Sequence, residues 1–561
     1  MERPPRLIAR SPWEAVRQHP VSTLVGLALV LRLATLTWGA QLGPYAGWYH
    51  ADESKVWRSV AGFPHIYLSN QNYLYGTAVQ YTAGILLFPF KRLWLSGHPL
   101  FPALSYEQFT VLAIRALHAL LGALTVGLLY QLARQLWDRT TALLAAALLA
   151  VSFYHVLNSA FATLDVPMSF LATLGILLSA RADRSLAPAN FAGLGVVLGY
   201  MAGTKVTGGS LAIVPVVLAL SAPHPKRPQY VRGLILAAFV AALVFVLSTP
   251  HAVLRAREYL AFMREQQYLW VERYDHGPLA ILRIRLAGMA RVLTPPVALL
   301  AIVGLAVGRA SPGASPAPSP ESSPTASKAG SHAARRLEWA VLAYLALDVV
   351  IWRAYLPDRF VLPTVPLLCA YAARPLALLL ESGRPGIRRT GAALTATALG
   401  ISVAAVLGGI WTRWHDTRSE AARDIARIVP SGATLAFVNT AQREPWTVHA
   451  WRYPRVDSTR VRLVSPADSP DFLVVTDWTR SRMEAALHSG QMGPDYVWPD
   501  SLANVWYHYL VPTPDDFRLH ADLAAERGYR EIGRWDPVTS LPVEFAGKRI
   551  WLYRRTGGAQ N

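Results

Sequence analysis

The chain has 561 residues, of which 53% are hydrophobic and 16% charged. A soluble protein is about a quarter charged, so this composition excludes a single water-soluble globule. The net charge of +19 does not argue for nucleic acid, because Arg and Lys gather at the ends of apolar runs, the positive-inside pattern of a multi-pass membrane protein. The one cysteine, Cys369, lies within an apolar run and leaves the compartment undecided.

Arg3, Arg6, Arg10 and Arg17 precede the first apolar run, Val21 to Ala40. Residues 1–20 are therefore expected in the cytoplasm, and the run, which lacks a small-residue cleavage site, reads as a retained helix. A bilayer takes about 20 such residues. Trp48-Tyr49-His50-Ala51-Asp52-Glu53 follows directly and puts two carboxylates at the outer membrane–water boundary. Acids at that depth are costly unless paired or used. Tyr73 to Leu95 reads as a juxtamembrane or re-entrant helix. The spans Phe109 to Leu132, Thr140 to Leu157 and Leu164 to Ala180 follow, with basic loops at Arg134–Arg139 and Arg181–Arg184 that belong inside. This parity brings Asp165 to the outer face, with Asp52.

Phe191 to Leu220 is too long for one helix and is broken at Gly203-Thr204-Lys205-Val206-Thr207-Gly208-Gly209, which places Lys205 at an outer turn. Leu234 to Leu247 goes out, Pro250 to Leu282 is an outer polar and aromatic loop, and Ile284 to Val307 returns. Residues 310–333 are rich in Ser, Pro and Ala and are expected to be a disordered cytoplasmic linker. Leu337 to Trp352, Phe360 to Leu378 and Gly391 to Trp411 complete the membrane part. The expected architecture is a polytopic α-helical membrane protein, with residues 21–411 forming about 11 transmembrane helices. Residues 412–561 form an extracytoplasmic soluble domain of α/β or α+β type. In it, Ser419 to Ile428 and Arg480 to His488 read as helices, and Thr434 to Val438, Phe472 to Thr476 and Arg549 to Tyr553 as strands.

Parity gathers His50, Asp52, Glu53, Asp165, Lys205, Arg353 and Arg359 on one face. A carboxylate can take a proton from an attacking hydroxyl, and fixed cations can hold a leaving phosphate. A phosphate on a lipid lies at this depth, so the set suits group transfer from a lipid phosphate. Blander readings stand beside this one: Asp52 and Glu53 as solvated loop acids, Asp165 as a helix N-cap, Lys205 as a snorkelling side chain. An alternative function is a secondary transporter with Asp52, Asp165 and Lys205 as an ion or proton site.

The stretches His50-Ala51-Asp52-Glu53, Arg115-Ala116-Leu117-His118-Ala119-Leu120-Leu121-Gly122 with Tyr130 to Arg134, Leu164-Asp165-Val166-Pro167, Gly199 to Lys205, and Arg359-Phe360-Val361-Leu362-Pro363 occur in this order. In that order the chain resembles the GT-C superfamily of polytopic glycosyltransferases, in its branch of protein O-mannosyltransferase-like and lipid A aminoarabinose transferase-like enzymes. The resemblance implies an inverting transfer of a hexose or pentose from a polyprenyl-phosphate donor to a lipid, glycan or protein acceptor, on the outer face of the plasma (inner) membrane. It implies Asp52, Glu53 and Asp165 as catalytic acids, Asp52 being the general base, and Lys205 and Arg359 at the donor phosphate. His50, Arg353 and Tyr355 are candidate lining residues. Asp52, Glu53 and Asp165 are also the oxygen ligands available to a divalent metal, Mg or Mn. Two departures from the family pattern are Asn158-Ser159-Ala160, where a Ser-Arg is usual, and Phe360, where a Tyr is usual.

Overall fold

A computed structural model of the chain describes residues 18–43, 47–50, 52–69, 76–267, 278–307, 324–351, 358–438, 453–464, 466–476, 523, 528–539, 541 and 547–556. The chain divides into two compact units. The first is Met1–Leu36 with Asp52–Leu407, and the second is Thr37–Ala51 with Gly408–Asn561. The membrane part expected over 21–411 thus differs from the first unit chiefly at residues 37–51, which group with the C-terminal chain.

The first unit is helical. Its elements are α1 (Pro20–Leu33), α2 (Glu53–Gly62), α3 (Ala78–Leu95), α4 (Tyr106–Leu136), α5 (Arg139–Ala150), α6 (Phe153–Asn158), α7 (Asp165–Ser185), α8 (Pro188–Thr204), α9 (Ile213–Leu220), α10 (Arg227–Ser248), α11 (Ala256–Gln267), α12 (Pro278–Leu293), α13 (Pro295–Val307), α14 (Pro324–Ile351), α15 (Val365–Leu380) and α16 (Pro385–Trp414). Short 3-10 turns at Val206–Ala212 and Asp358–Thr364 precede α9 and α15. Helix α4 starts at a capping box, in which Ser105 and Gln108 bond each other's backbone N–H. It packs against α1, α5 and α7.

Five helical stretches are long and apolar enough to cross a membrane, among the described residues: Tyr106–Leu136, Asp165–Ser185, His224–Ser248, Arg359–Leu380 and Pro385–Ile428. Four shorter apolar helices accompany them. The difference from about 11 expected crossings has a local cause, because several expected spans are built in pieces. Ile284 to Val307 is split into α12 and α13 at Thr294, whose φ of 71° is left-handed, ahead of Pro295-Pro296. Thr140 to Leu157 is split into α5 and α6. The buried Arg32 guanidinium donates to the carbonyls of Leu149 and Ala150 and so caps the end of α5. Helix α14 begins at Pro324, inside the stretch expected to be disordered; Ala, Lys and Arg there favour helix and Pro suits its first turn. Residues 308–323 lie outside the described residues.

The outward face of α10 carries Val231, Ile235, Phe239, Leu243 and Val246, all at least 40% exposed. Spacings of four and three put them on one stripe, an apolar surface that suits lipid rather than water. The opposite case is α7, most of which is buried inside the unit.

The second unit holds a five-stranded sheet with β1 (Thr434–Phe437), β2 (Arg462–Leu463), β3 (Phe472–Thr476), β4 (Tyr529–Trp535) and β5 (Ile550–Arg555), in the order β2-β1-β3-β5-β4. Strand β1 runs parallel to β2 and β3, and β5 is antiparallel to β3 and β4. Leu435, Phe472, Val474, Ile550 and Leu552 pack on one face against Ala421 and Ile425 of α17 (Thr417–Ile428). Ala436, Leu473, Val475, Trp551 and Tyr553 cluster on the other. With both faces covered, β3 reads as a continuous apolar run rather than an alternating one. Residues 37–51 join this unit through Tyr49, whose hydroxyl lies 2.6 Å from that of Ser419 and whose ring is stacked by Arg418, and through Trp38, which donates to Asp416. The helix expected at Arg480 to His488 lies outside the described residues.

Candidate active site

Asp52 and Glu53 are adjacent, but helix α2 begins between them and turns their carboxylates to different partners. Glu53 is the first helical residue and is buried. Arg115 of α4 clamps it with Nε at 2.8 Å and Nη2 at 2.6 Å, a bidentate pair, and the Ala162 N–H donates to it at 2.6 Å. Arg115 also donates to the Leu36 carbonyl at 2.7 Å. His118, one turn along α4, lies with Nδ1 2.9 Å from the Phe161 carbonyl. A carbonyl only accepts, so Nδ1 carries the proton. The Arg115…His118 motif therefore grips the loop at 161–162 that leads into Asp165. Its residues stood in the sequence as a likeness alone; three-residue spacing on one helix face is the signal that could have paired them.

Asp52 sits at the N-cap of α2 without capping it. Its Oδ1 is 3.2 Å from Lys55 Nζ and its Oδ2 is 2.6 Å from Arg359 Nη2. The same guanidinium reaches the second acid, with Arg359 Nε 3.6 Å from Asp165 Oδ2. Asp165 is the first helical residue of α7, whose N-cap is Leu164; its Oδ1 faces Lys205 Nζ at 3.5 Å. So neither the solvated-loop reading of Asp52 nor the N-cap reading of Asp165 describes these side chains.

Lys205 is delivered by the break between α8 and the 3-10 turn. Its backbone is extended, at φ −155° and ψ 126°, which ends the helix. The approach to this break is close. A Cβ on Gly76 would stand 2.0 Å from the Gly203 carbonyl oxygen, so only glycine fits there. Lys205 Nζ lies 3.5 Å from the centroid of the Phe360 ring, where a cation is attracted to the aromatic face. At the position where a tyrosine hydroxyl is usual, Phe360 offers only that face.

Among the described residues, ion pairs in this cluster join the carboxylates of Asp52 and Asp165 to Lys55, Lys205 and Arg359. The side chains of Asp52, Lys205 and Arg359 remain 10–13% exposed, whereas those of Glu53 and Arg115 are 1–2% exposed. A small pocket of about 10 Å³, near the room of one water molecule, continues from Asp165 and Lys205. His50 is buried and belongs to the second unit. Arg353 and Tyr355 lie outside the described residues.

Asp52, Glu53 and Asp165 do not form a metal-ligand set as these side chains stand. Glu53 is committed to Arg115, and the guanidinium of Arg359 occupies the place between the other two. Among the described residues, no three His, Cys, Asp or Glu side chains are placed to hold a metal ion.

Residues 99–253 match the family model of dolichyl-phosphate-mannose-protein mannosyltransferase. An uncharacterized protein of Aquifex aeolicus (strain VF5) is 40% identical over 79 residues, which are 14% of this chain and 16% of that protein. Among solved structures, ArnT from Cupriavidus metallidurans bound to undecaprenyl phosphate aligns with a TM-score of 0.50 at 13% identity, over 85% of this chain and 95% of that one. The archaeal oligosaccharyltransferase AglB from Archaeoglobus fulgidus, in complex with an inhibitory peptide and a dolichol-phosphate, aligns with a TM-score of 0.47 at 12% identity, over 97% of this chain and 89% of that one. Residues 99–253 are thus similar to that mannosyltransferase family, and the chain shares the fold of ArnT.

Proposed function

We propose that the chain is a membrane glycosyltransferase that moves a hexose or pentose from a polyprenyl-phosphate donor to an acceptor on the outer face of the membrane. One observation carries the reading: a single guanidinium, that of Arg359, touches both Asp52 and Asp165, so acids and cations from distant loops meet in one cluster. Lys205 and Arg359 bind the donor phosphate and take up the negative charge that grows on it as the sugar leaves. Asp52 accepts the proton of the acceptor hydroxyl. The acceptor oxygen bonds to the anomeric carbon as the carbon–phosphate oxygen bond breaks on the opposite side, and the configuration inverts. Asp165 draws on the same two cations and competes with the phosphate for them. Phosphate drawing Arg359 toward itself would loosen the pair with Asp52 and release that carboxylate as the base. The acceptor is a lipid, a glycan or a protein.

Purified protein incubated with a panel of polyprenyl-phosphate sugars tests the reading by loss of donor. Turnover or binding of at least one donor is expected. A protein that neither binds nor consumes any of them, yet couples solute uptake to an ion gradient in sealed vesicles, is a transporter instead.

A further inference from the structure

Gly195, Gly199 and Gly203 recur at every fourth position of α8 and so share one face of it. A Cβ on Gly195 would stand 2.5 Å from the Ala237 carbonyl oxygen, and one on Gly199 2.2 Å from that of Ala241. Helix α10 therefore lies with its backbone almost against that of α8, in the small-residue packing that membrane helices use. The contact runs to the last turn of α8, where a Cβ on Gly203 would stand 2.5 Å from the Ser248 Oγ and 2.9 Å from the Thr249 Oγ1. Thr249, 1% exposed, follows the last residue of α10 and donates its hydroxyl to the Gly203 carbonyl at 3.1 Å. From the loop before α3, Thr77 donates to the Ser248 carbonyl at 2.6 Å and fixes the end of α10 from another side.

Other threonines of these helices behave differently. Thr82, Thr110, Thr125, Thr173 and Thr204 each return the hydroxyl to the carbonyl four residues earlier in the same helix, a habit of threonine inside helices. Thr249 crosses to another helix instead, 46 residues away in the chain. It meets a carbonyl in the last turn of α8, where the i+4 partners have run out. Two residues on, Lys205 leaves the helix in an extended conformation, its N–H still bonded to the Met201 carbonyl at 3.0 Å. The angle at which that last turn ends therefore sets where the lysine side chain starts. From there its Nζ must reach Asp165 Oδ1, 3.5 Å away, and the face of Phe360, with the ring centroid at 3.5 Å.

We propose that Thr249 is a positioning residue for Lys205: its hydroxyl holds the last turn of α8 at the angle that brings the lysine Nζ to the donor phosphate. The inference rests on the polyprenyl-phosphate reading above and adds to it a residue that acts through a backbone carbonyl of α8. Valine has the shape of threonine without the hydroxyl, and serine keeps the hydroxyl without the methyl group. The two substitutions therefore separate the bond from the packing.

The test measures binding of undecaprenyl phosphate to the full-length protein in nanodiscs. Thr249→Val is expected to weaken it by about three- to tenfold, the scale of one neutral hydrogen bond, and Thr249→Ser to leave it within about twofold of wild type. Lys205→Ala should weaken binding by itself. Adding Thr249→Val to Lys205→Ala should then cost nothing further, because a residue that acts only through Lys205 is silent once Lys205 is gone. A hydroxyl that merely stabilises the fold would cost the same affinity in both backgrounds. If Thr249→Val yields no folded protein, read from its thermal unfolding, Thr249→Ala carries the same cycle. Equal losses in the two backgrounds, wild-type affinity in Thr249→Val, or a loss in Thr249→Ser as large as in Thr249→Val overturn this inference and leave the transferase reading standing. A wild-type protein that does not bind the lipid, or a Lys205→Ala variant that binds it as tightly as wild type, overturns the phosphate site beneath it as well.

Discussion

Two acids adjacent in the sequence, Asp52 and Glu53, form arginine pairs of opposite character. The knot of Glu53, Arg115 and the Ala162 N–H is closed: two parallel bonds, a backbone donor, and almost no solvent. The cluster of Asp52, Arg359, Asp165 and Lys205 is open: shared partners, longer contacts of 3.5 and 3.6 Å, and a pocket beside it. A satisfied buried pair is a fixture, because taking away one partner strands the other charge. A shared guanidinium with residual exposure can change partners when a ligand arrives. The same two residue types therefore make a fixture in one place and, on the proposed reading, a chemical site in the other. Residue type does not separate them; residual exposure does.

Substitutions can break this contrast. The largest effect is expected from Asp52→Asn, which should slow donor consumption by about 10²- to 10⁴-fold, the scale of general-base catalysis. Its thermal unfolding midpoint should stay close to wild type. Glu53→Gln should do the reverse in kind, destabilising the protein by about 3–5 kcal/mol by leaving Arg115 buried without its partner, read as a lowered unfolding midpoint in nanodiscs. If Asp52→Asn unfolds the protein and Glu53→Gln merely slows it, the roles assigned here are exchanged.

A third, smaller effect sharpens the open side. Gly76→Ala places a methyl group against the Gly203 carbonyl and must shift the turn that presents Lys205. Donor turnover should fall by about 10- to 100-fold, as for a misplacement near 1 Å, and affinity for a sugar-free lipid phosphate should fall with it. Unchanged kinetics would mean that the turn relaxes elsewhere.

The smallest effect concerns an acid at the exposed extreme. Asp471 in the second unit accepts from the Thr434 N–H and hydroxyl, at 2.8 and 2.7 Å, and these bonds hold its carboxyl below the usual range. A carboxyl with a depressed folded-state pKa stabilises the fold above its unfolded pKa, and that contribution is lost as pH falls through the folded value. Between roughly pH 5 and pH 3 the unit should lose stability, and Asp471→Asn should lose less over that interval, followed by circular dichroism. An equal or larger loss in the variant would contradict the assignment.

The sequence disclosed the open cluster better than the closed knot. Charge parity of the loops, together with the break at Gly203 to Gly209, brought Asp52, Asp165, Lys205 and Arg359 to one place, which is where the structure has them. Glu53 could not be separated from Asp52 in this way, since its direction depends on where α2 begins and on Arg115, 62 residues away. Periodicity also missed β4, because Arg530, Glu531 and Arg534 interrupt its alternation, as charges on an edge strand do. It placed residues 37–51 with the membrane part because their apolar character continues that of α1, while the contacts of Trp38 and Tyr49 that draw them into the second unit are tertiary.

The central claim is that Arg359 and the two acids surround one lipid phosphate, and the affinity of undecaprenyl phosphate for wild type, Arg359→Ala, Asp52→Asn and Asp165→Asn tests it most directly. The account predicts opposite signs: weaker binding by about tenfold or more when the guanidinium is removed, and equal or tighter binding when a carboxylate that competes for it is neutralised. Carboxylate variants that lose the lipid as fully as Arg359→Ala, or a lipid bound equally by all four proteins, would contradict it.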